Sequence, residues 1–224
     1  MSDLILEERR ASGTVLLRLN RPESRNALSA DLRRALTERF AAFNEDRDTR
    51  CVVITGDERA FVAGADLKDM SRMGTAEITR TNVRRMWQVI GQCPIPVIAA
   101  VRGVAFGGGC ELAMHADIII AGENAKFGQP EIKVGIMPGA GGTQRLVRIV
   151  GKHRALRVLL RGELFDAETA HAWGLVSELV EPDAVEETAL DYARTISGLP
   201  ARAVEFIKES VLQGADLPLS AALT

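Results

Sequence analysis

The chain has 224 residues, 46% hydrophobic and 26% charged, with a formal charge of -2 and a pI near 6.0. That size and composition describe one large or two small globular domains with a substantial core, and they argue against long disorder. The balanced charge offers no general basic surface for nucleic acid and no cationic face for a membrane, and the longest apolar stretch, "IPVIAAV", stops at Arg102, far short of a membrane span.

From the N-terminus, "LILEERR" and "TVLLRLN" are short apolar-rich runs separated by Ala11, Ser12 and Gly13, which predicts a strand pair. After the loop "NRPESRNAL", Ser29 is placed to cap a helix whose Leu32, Leu36, Phe40 and Phe43 recur at helical spacing. "CVVIT", Cys51 to Thr55, reads as a buried strand. The order then returns: a loop through "GDERAFVAGADLKDM", a helix near residues 76–92, a strand "PVIAAV", a glycine turn and a helix from about Gly108. A strand "DIIIA" precedes the loop-rich "AKFGQPEIKVGIMPGAGG", with helices from Thr143 onward. The last third is mainly helical, with "DAETAHAWG" closed by Gly174, a strand "VSELV" and a helix opened by Pro182. Strands and helices alternate without a linker, so a single α/β domain with a helical C-terminal part is expected.

The three cysteines, Cys51, Cys93 and Cys110, are widely spaced and form no CxxC pair, which suggests neither a disulfide framework nor a zinc site and fits a reducing cytosol. "MSDLILEERR" lacks the basic region and long apolar run of a secretory signal, so a cytoplasmic protein is expected.

Three glycine-marked segments carry the chemistry. In "VAFGGGCELAM", each glycine placed in a helix costs about 1 kcal/mol relative to alanine, yet three precede Glu111. They expose backbone N–H groups at a helix N-terminus, suited to an anion or a developing oxyanion, or else they let a helix pack closely on a strand. In "FVAGADLKDM", Gly64 allows a conformation that turns the Ala65 N–H outward, and Asp66 can cap a helix beginning near Leu67. In "FGQPEIKVGIMPGAGGTQRL", Pro130 keeps Gln129 extended and holds Glu131 on irregular backbone. "GAGG" lacks the G-x-G-x-x-G spacing of a dinucleotide site. Together, two backbone donors from separate turns and two flanking glutamates suit proton transfer next to a carbonyl, whereas no G-x-S-x-G elbow supports a covalent nucleophile.

These segments, with "LNRPESRNAL" and "AHAWGLVSELV" in the same order, resemble the crotonase (enoyl-CoA hydratase/isomerase) superfamily over nearly the whole chain. The resemblance implies a crotonase-like spiral of ββα units with a helical C-terminal region, assembled as a homotrimer or a dimer of trimers. It implies an acyl-CoA substrate, with no cofactor beyond the coenzyme A of that substrate and no metal, while the balanced charge and short apolar runs lead us to expect no nucleic acid and no membrane partner. Carried over by position, the N–H groups of Ala65 and Gly108 match an oxyanion hole for the thioester carbonyl. Glu111 and Glu131 match the paired catalytic carboxylates, and Gly139 matches a glycine that helps hold the attacking water. Arg25, Ala27, Ala63, Gly64, Asp66 and Leu67 fall in segments matching the substrate-binding loops.

Having both glutamates favours enoyl-CoA hydratase, the syn addition of water across the 2,3 double bond of a trans-2-enoyl-CoA. An enoyl-CoA isomerase and a noncatalytic acyl-CoA- or RNA-binding member of the fold are the alternatives. His115, one helical turn after Glu111, is placed to hydrogen-bond it, and Met70, Met73 and Trp87 suit either an acyl pocket or the core. Lys68 is placed to approach a coenzyme A phosphate, and Arg80, Arg84 and Arg85 form a small basic cluster best explained as a solvated face. His153 and His171 have no ligand partner in sequence. Residues 1–195 are expected to form the core, and 196–224 the start of a C-terminal helical region that the resemblance extends beyond "LPLSAALT".

Overall fold

The computed structural model describes residues 3–66, 68–69 and 83–223. Leu67, Met70, Met73, Arg80 and the first part of the helix expected over 76–92 lie outside the described residues.

Strands β1 (Ile5–Arg9) and β2 (Thr14–Leu19) form the expected antiparallel pair, and α1 (Ala30–Glu45) follows with Ser29 as its N-cap, the hydroxyl accepting from the Leu32 N–H. All four spaced apolar residues of α1, Leu32, Leu36, Phe40 and Phe43, are buried, so the 3.6-residue period is the face that meets the core.

Next come β3 (Cys51–Thr55), β4 (Ala60–Val62) and α2 (Val83–Gly91). The same pattern recurs in β5 (Val97–Val101), β6 (Val104–Phe106) and α3 (Gly108–His115). It recurs again in β7 (Ile118–Gly122), β8 (Lys126–Gly128), a 3₁₀ turn at Glu131–Val134 and α4 (Gly142–Val150). Helix α5 (Lys152–Arg161), β9 (Leu164–Asp166), α6 (Ala167–Ala172), β10 (Glu178–Val180), α7 (Val185–Ser197), α8 (Ala201–Gly214) and α9 (Leu219–Ala222) complete the order.

Each repeat sends its first strand into one sheet and its second into another. The large sheet runs β1-β2-β3-β5-β7-β10 and the small one β4-β6-β8-β9. Successive repeats stack in parallel in both, as in Val53 opposite Ile98 and Ala105 opposite Phe127. This is the expected spiral of ββα units. The small sheet was not legible beforehand: Ala60–Val62, Val104–Phe106, Lys126–Gly128 and Leu164–Asp166 fall in stretches read as loop, turn or helix. Three residues are too few to establish a two-residue period.

"CVVIT" is uniformly apolar because both faces of the large sheet are covered. Val52 and Ile54 face the main core shared with α1 and the small sheet, whereas Cys51 and Val53 pack on Val185, Ala189 and Ala193 of α7. Helix α8 buries none of its residues and leaves Phe206, Ile207 and Val211 exposed. Among the described residues, no helix is long and apolar enough to cross a membrane.

Candidate active site

The three glycine-marked segments occupy equivalent places in successive repeats, since each begins where a parallel strand of the small sheet ends: Ala63 after β4, Gly107 after β6 and Gln129 after β8. Parallel register therefore brings distant sequence to one edge, the carboxyl ends of the strands, where α/β proteins commonly place their sites. The turns are bonded together there. The Gly107 N–H donates to the Gly128 carbonyl at 2.8 Å, and a methyl placed on Gly108 would lie 3.8 Å from the Ala65 nitrogen. Among the described residues, neither the Ala65 nor the Gly108 N–H is bonded to a protein acceptor.

Two of the three consecutive glycines answer to different demands. Gly107 has φ of +52°, a left-handed conformation that glycine adopts without strain, and a methyl there would sit 2.8 Å from Glu131 Oε1. Gly109 lets α3 lie directly on β4, where a methyl would approach the Val62 carbonyl oxygen to 2.0 Å. Both readings of "GGG", exposed donors and close packing, are thus realised at neighbouring positions.

Glu111, in the first turn of α3, is 3% exposed. Its Oε1 accepts from the backbone N–H of Ala140 at 2.7 Å and of Gly142 at 2.8 Å. Burial raises its pKa, and these two donors and the charge of Arg145 oppose the rise. Glu131 is half-buried at the start of its 3₁₀ turn. Its carboxyl is pushed up to about 7, chiefly by burial and further by the negative charge of Glu111. The buried Gln129 amide, with its nitrogen toward Glu131, donates to Oε1 and Oε2 at 3.1 and 3.2 Å. A buried and a half-buried carboxyl thus feel each other's charge and are held by unequal donor sets.

A neighbouring turn is stitched alongside. The Leu28 N–H donates to the Gly64 carbonyl at 2.8 Å, and the Ala63 N–H to the Arg25 carbonyl at 3.0 Å. Arg25 and Asn26 both have positive φ, 51° and 56°. Asn26 is fully buried; its Oδ1 accepts from the Arg21 N–H at 2.8 Å and its Nδ2 donates to the Ala60 carbonyl at 3.0 Å. Arg21 pairs with Asp66 at 3.2 Å, and Asp66 Oδ1 accepts from the Lys68 N–H at 3.1 Å, the capping role expected of it. Arg25, Ala27, Ala63, Gly64 and Asp66 are therefore one bonded assembly, with Arg25 exposed at its surface.

Other candidates separate from this place. The His115 ring bonds the main-chain carbonyl of Glu111 through Nδ1 at 2.8 Å, not its carboxylate, and stacks on Trp87 with centroids 5.0 Å apart. Burial holds the imidazole down to about 4, which keeps it neutral. Trp87 is 9% exposed and belongs to the core. Arg84 and Arg85 are exposed on α2, and His153 and His171 are exposed as well. Cys110 is fully buried, its thiol raised to about 12, so it is no nucleophile at neutral pH.

Gly139 is exposed on the turn that leads into the bonded pair Ala140 and Gly142. Sequence reasoning missed Ala140, Asn26, Arg145 and the role of Gln129; it expected close approach of chain or ligand at Gly142 but not that its N–H would hold Glu111. Ala140 and Gly142 act through main chain, and the "GAGG" run was their only signal.

A sequence model of the enoyl-CoA hydratase/isomerase family matches residues 9–224. A probable enoyl-CoA hydratase of Rhizobium meliloti (strain 1021) is 45% identical over 208 residues, 93% of this chain and 81% of that protein. The 2,3-dehydroadipyl-CoA hydratase of Escherichia coli (strain K12) is 42% identical over 223 residues, 100% of this chain and 87% of that protein. The crystal structure of an enoyl-CoA hydratase from Bacillus anthracis superposes with a TM-score of 0.95 at 37% identity, over 99% of this chain and 87% of that one. With this match in sequence and in the two-sheet spiral that carries the paired carboxyls, the chain belongs to the enoyl-CoA hydratase/isomerase family.

Proposed function

We propose that the protein is an enoyl-CoA hydratase that adds water syn across the 2,3 double bond of a trans-2-enoyl-CoA to give a 3-hydroxyacyl-CoA. The observation that carries this reading is the meeting of two differently held carboxyls, Glu111 and Glu131, beside two backbone N–H groups without protein acceptors. Relatives named as enoyl-CoA hydratases support it.

The N–H groups of Ala65 and Gly108 receive the thioester oxygen and favour the enolate-like charge that develops there, which makes Cβ electrophilic. Glu111, given two N–H donors and the field of Arg145, is the ionised base that takes a proton from water as its oxygen bonds to Cβ. Glu131, raised to about 7 and so still partly protonated near neutral pH, delivers a proton to Cα. The net addition is one water, and proton transfer from Glu111 back to Glu131 through solvent restores the starting state. Gly139, on the turn that holds Glu111, helps place the water. No step needs a metal or a cofactor beyond the coenzyme A of the substrate.

Arg25, Ala27, Ala63, Gly64, Asp66 and Leu67 are the loops assigned to the coenzyme A side. The exposed apolar residues of α8 support assembly as a trimer or a dimer of trimers, and three buried free cysteines suit the cytoplasm.

The test is loss of the conjugated enoyl-thioester absorbance on mixing with a short trans-2-enoyl-CoA. Turnover that falls about 10²- to 10⁴-fold in both Glu111→Gln and Glu131→Gln supports the reading. Migration of the double bond without uptake of water would establish an isomerase instead.

A further inference from the structure

Arg145 transfers no proton in the reaction above, yet it joins the two pieces of structure that hold Glu111. Its backbone N–H donates to the Gly141 carbonyl at 2.8 Å, inside the turn whose Ala140 and Gly142 N–H groups bind Oε1 of Glu111. Its guanidinium lies over the same turn, since a methyl on Gly141 would come within 3.7 Å of Nε. The far end reaches back to α3, where Nη1 donates to the Met114 carbonyl at 3.3 Å, in the last turn of the helix whose first turn carries Glu111. A cation is favoured at that helix end by the macrodipole.

Among the described residues no carboxylate forms an ion pair with Arg145. The nearby carboxylates have other cations: Asp117 pairs with Lys208 at 2.6 Å and Asp216 with Arg148 at 3.0 Å. His115, on α3 and packed on Trp87 of α2, is neutral, and Glu131, on the 3₁₀ turn, feels the charge of Glu111. Arg145 lines an 820 Å³ groove between α8 and the body of the molecule that has neither catalytic carboxylate in its wall. An ionised guanidinium that is half-buried and not committed to a salt bridge leaves its field acting on its surroundings, Glu111 included.

We propose that Arg145 is a positioning residue for Glu111: it clamps the 140–142 turn to the end of α3, so that both turn N–H groups stay on the carboxylate, and its positive charge favours the ionised base. The kinetic consequence rests on the hydratase reading, whereas the link between Arg145 and Glu111 does not.

The experiment is a ¹³C NMR titration of the side-chain carboxyls in the parent, Arg145→Met, Arg145→Gln and Arg145→Lys, with enoyl-CoA kinetics on the same samples. The Glu111 and Glu131 resonances are assigned by their loss in Glu111→Gln and Glu131→Gln. In the neutral variants the Glu111 midpoint is expected to rise by about one pH unit. There kcat should fall about 10- to 100-fold, with KM changing less than about threefold. Arg145→Lys, which keeps the charge and tests the link even where a neutral variant fails to fold, is expected to hold the midpoint near that of the parent. An unmoved midpoint in a folded neutral variant, or a shift in Arg145→Lys as large as in Arg145→Gln, would overturn the proposal. A parent that shows the expected titrations but no hydration would sink the hydratase reading and leave the Arg145 link standing.

Discussion

Glu111 Oε1 accepts two backbone hydrogen bonds from one turn, at 2.7 Å from Ala140 and 2.8 Å from Gly142, so the carboxylate is fixed by main chain 29 and 31 residues downstream. A methyl on Gly142 would sit 2.9 Å from that oxygen and 2.9 Å from Pro138 Cβ. Something must then move, and displacing either the carboxylate or the turn breaks the two hydrogen bonds that hold Glu111. Gly142→Ala is expected to lower kcat about 10²-fold while KM changes little, because the loops around Arg25 and Ala63, proposed to bind substrate, are untouched. Steady-state kinetics with a short enoyl-CoA checks this, and a variant with parental kcat would show that the turn does not orient the base.

The unequal environments of the two carboxyls give a pH profile. Glu131 is raised to about 7, so as the acid it is present below that pH and lost above it. Glu111 is also raised, so as the base it is lost on the acid side at a pH above the ordinary carboxylate range. The pH dependence of kcat/KM, which reports the free enzyme, should be a narrow bell whose basic limb begins near 7. A plateau extending to pH 9 would contradict the assignment of Glu131 as the acid.

The same shift has a sign for stability. A carboxyl whose folded pKa lies above its unfolded value binds protons more tightly when folded, so stability falls as pH rises from the unfolded pKa through the folded one. For Glu131 that window runs from about 4.5 to about 7. Glu131→Gln removes the buried charge and keeps a carbonyl acceptor for Gln129. It is expected to be more stable than the parent at pH 8, by about 1–2 kcal/mol after allowance for partial exposure, with no difference near pH 4. Thermal melts at both pH values decide, and equal gains at the two would remove the titration as the cause.

What was legible in the sequence was whatever side chains carry over a period. Leu32, Leu36, Phe40 and Phe43 announced the buried face of α1, and the uniformly apolar "CVVIT" announced a strand covered on both sides. The glutamates were visible because "GGGCELAM" and "GQPEI" hold them beside conspicuous glycine and proline. The small sheet was hidden because its strands are three residues long and its order is fixed by pairing between repeats, as in Val104 opposite Lys126. The partners of Glu111 were hidden because Ala140 and Gly142 act through N–H groups that every residue but proline possesses.

Asn26 shows a case in which one polar side chain holds a loop that the sequence marked only by resemblance. It sits fully buried at φ of 56°, bonding the Arg21 N–H and the Ala60 carbonyl, and it is flanked by Arg25 at φ of 51°. Asparagine tolerates the left-handed conformation because its short amide bonds nearby main chain. Asn26→Ala would leave the Arg21 N–H unpaired, take from the Ala60 carbonyl one of its two donors, the Asp57 N–H remaining, and keep the strained φ, a loss of about 1–3 kcal/mol in stability. Asn26→Asp keeps the acceptor for Arg21 but sets a carboxylate against the Ala60 carbonyl. It should be destabilised as well, least at low pH, where protonation restores a donor. Because the 25–28 segment is bonded to Gly64 and Asp66, the effect on kinetics should fall on substrate binding: KM for the enoyl-CoA is expected to rise about tenfold, with kcat within a few fold of the parent. Kinetics of Asn26→Ala at a temperature well below its melting point would check this. A large fall in kcat with KM unchanged would mean that the loop steers the N–H pair at Ala65 and Gly108 and not the coenzyme A end of the substrate.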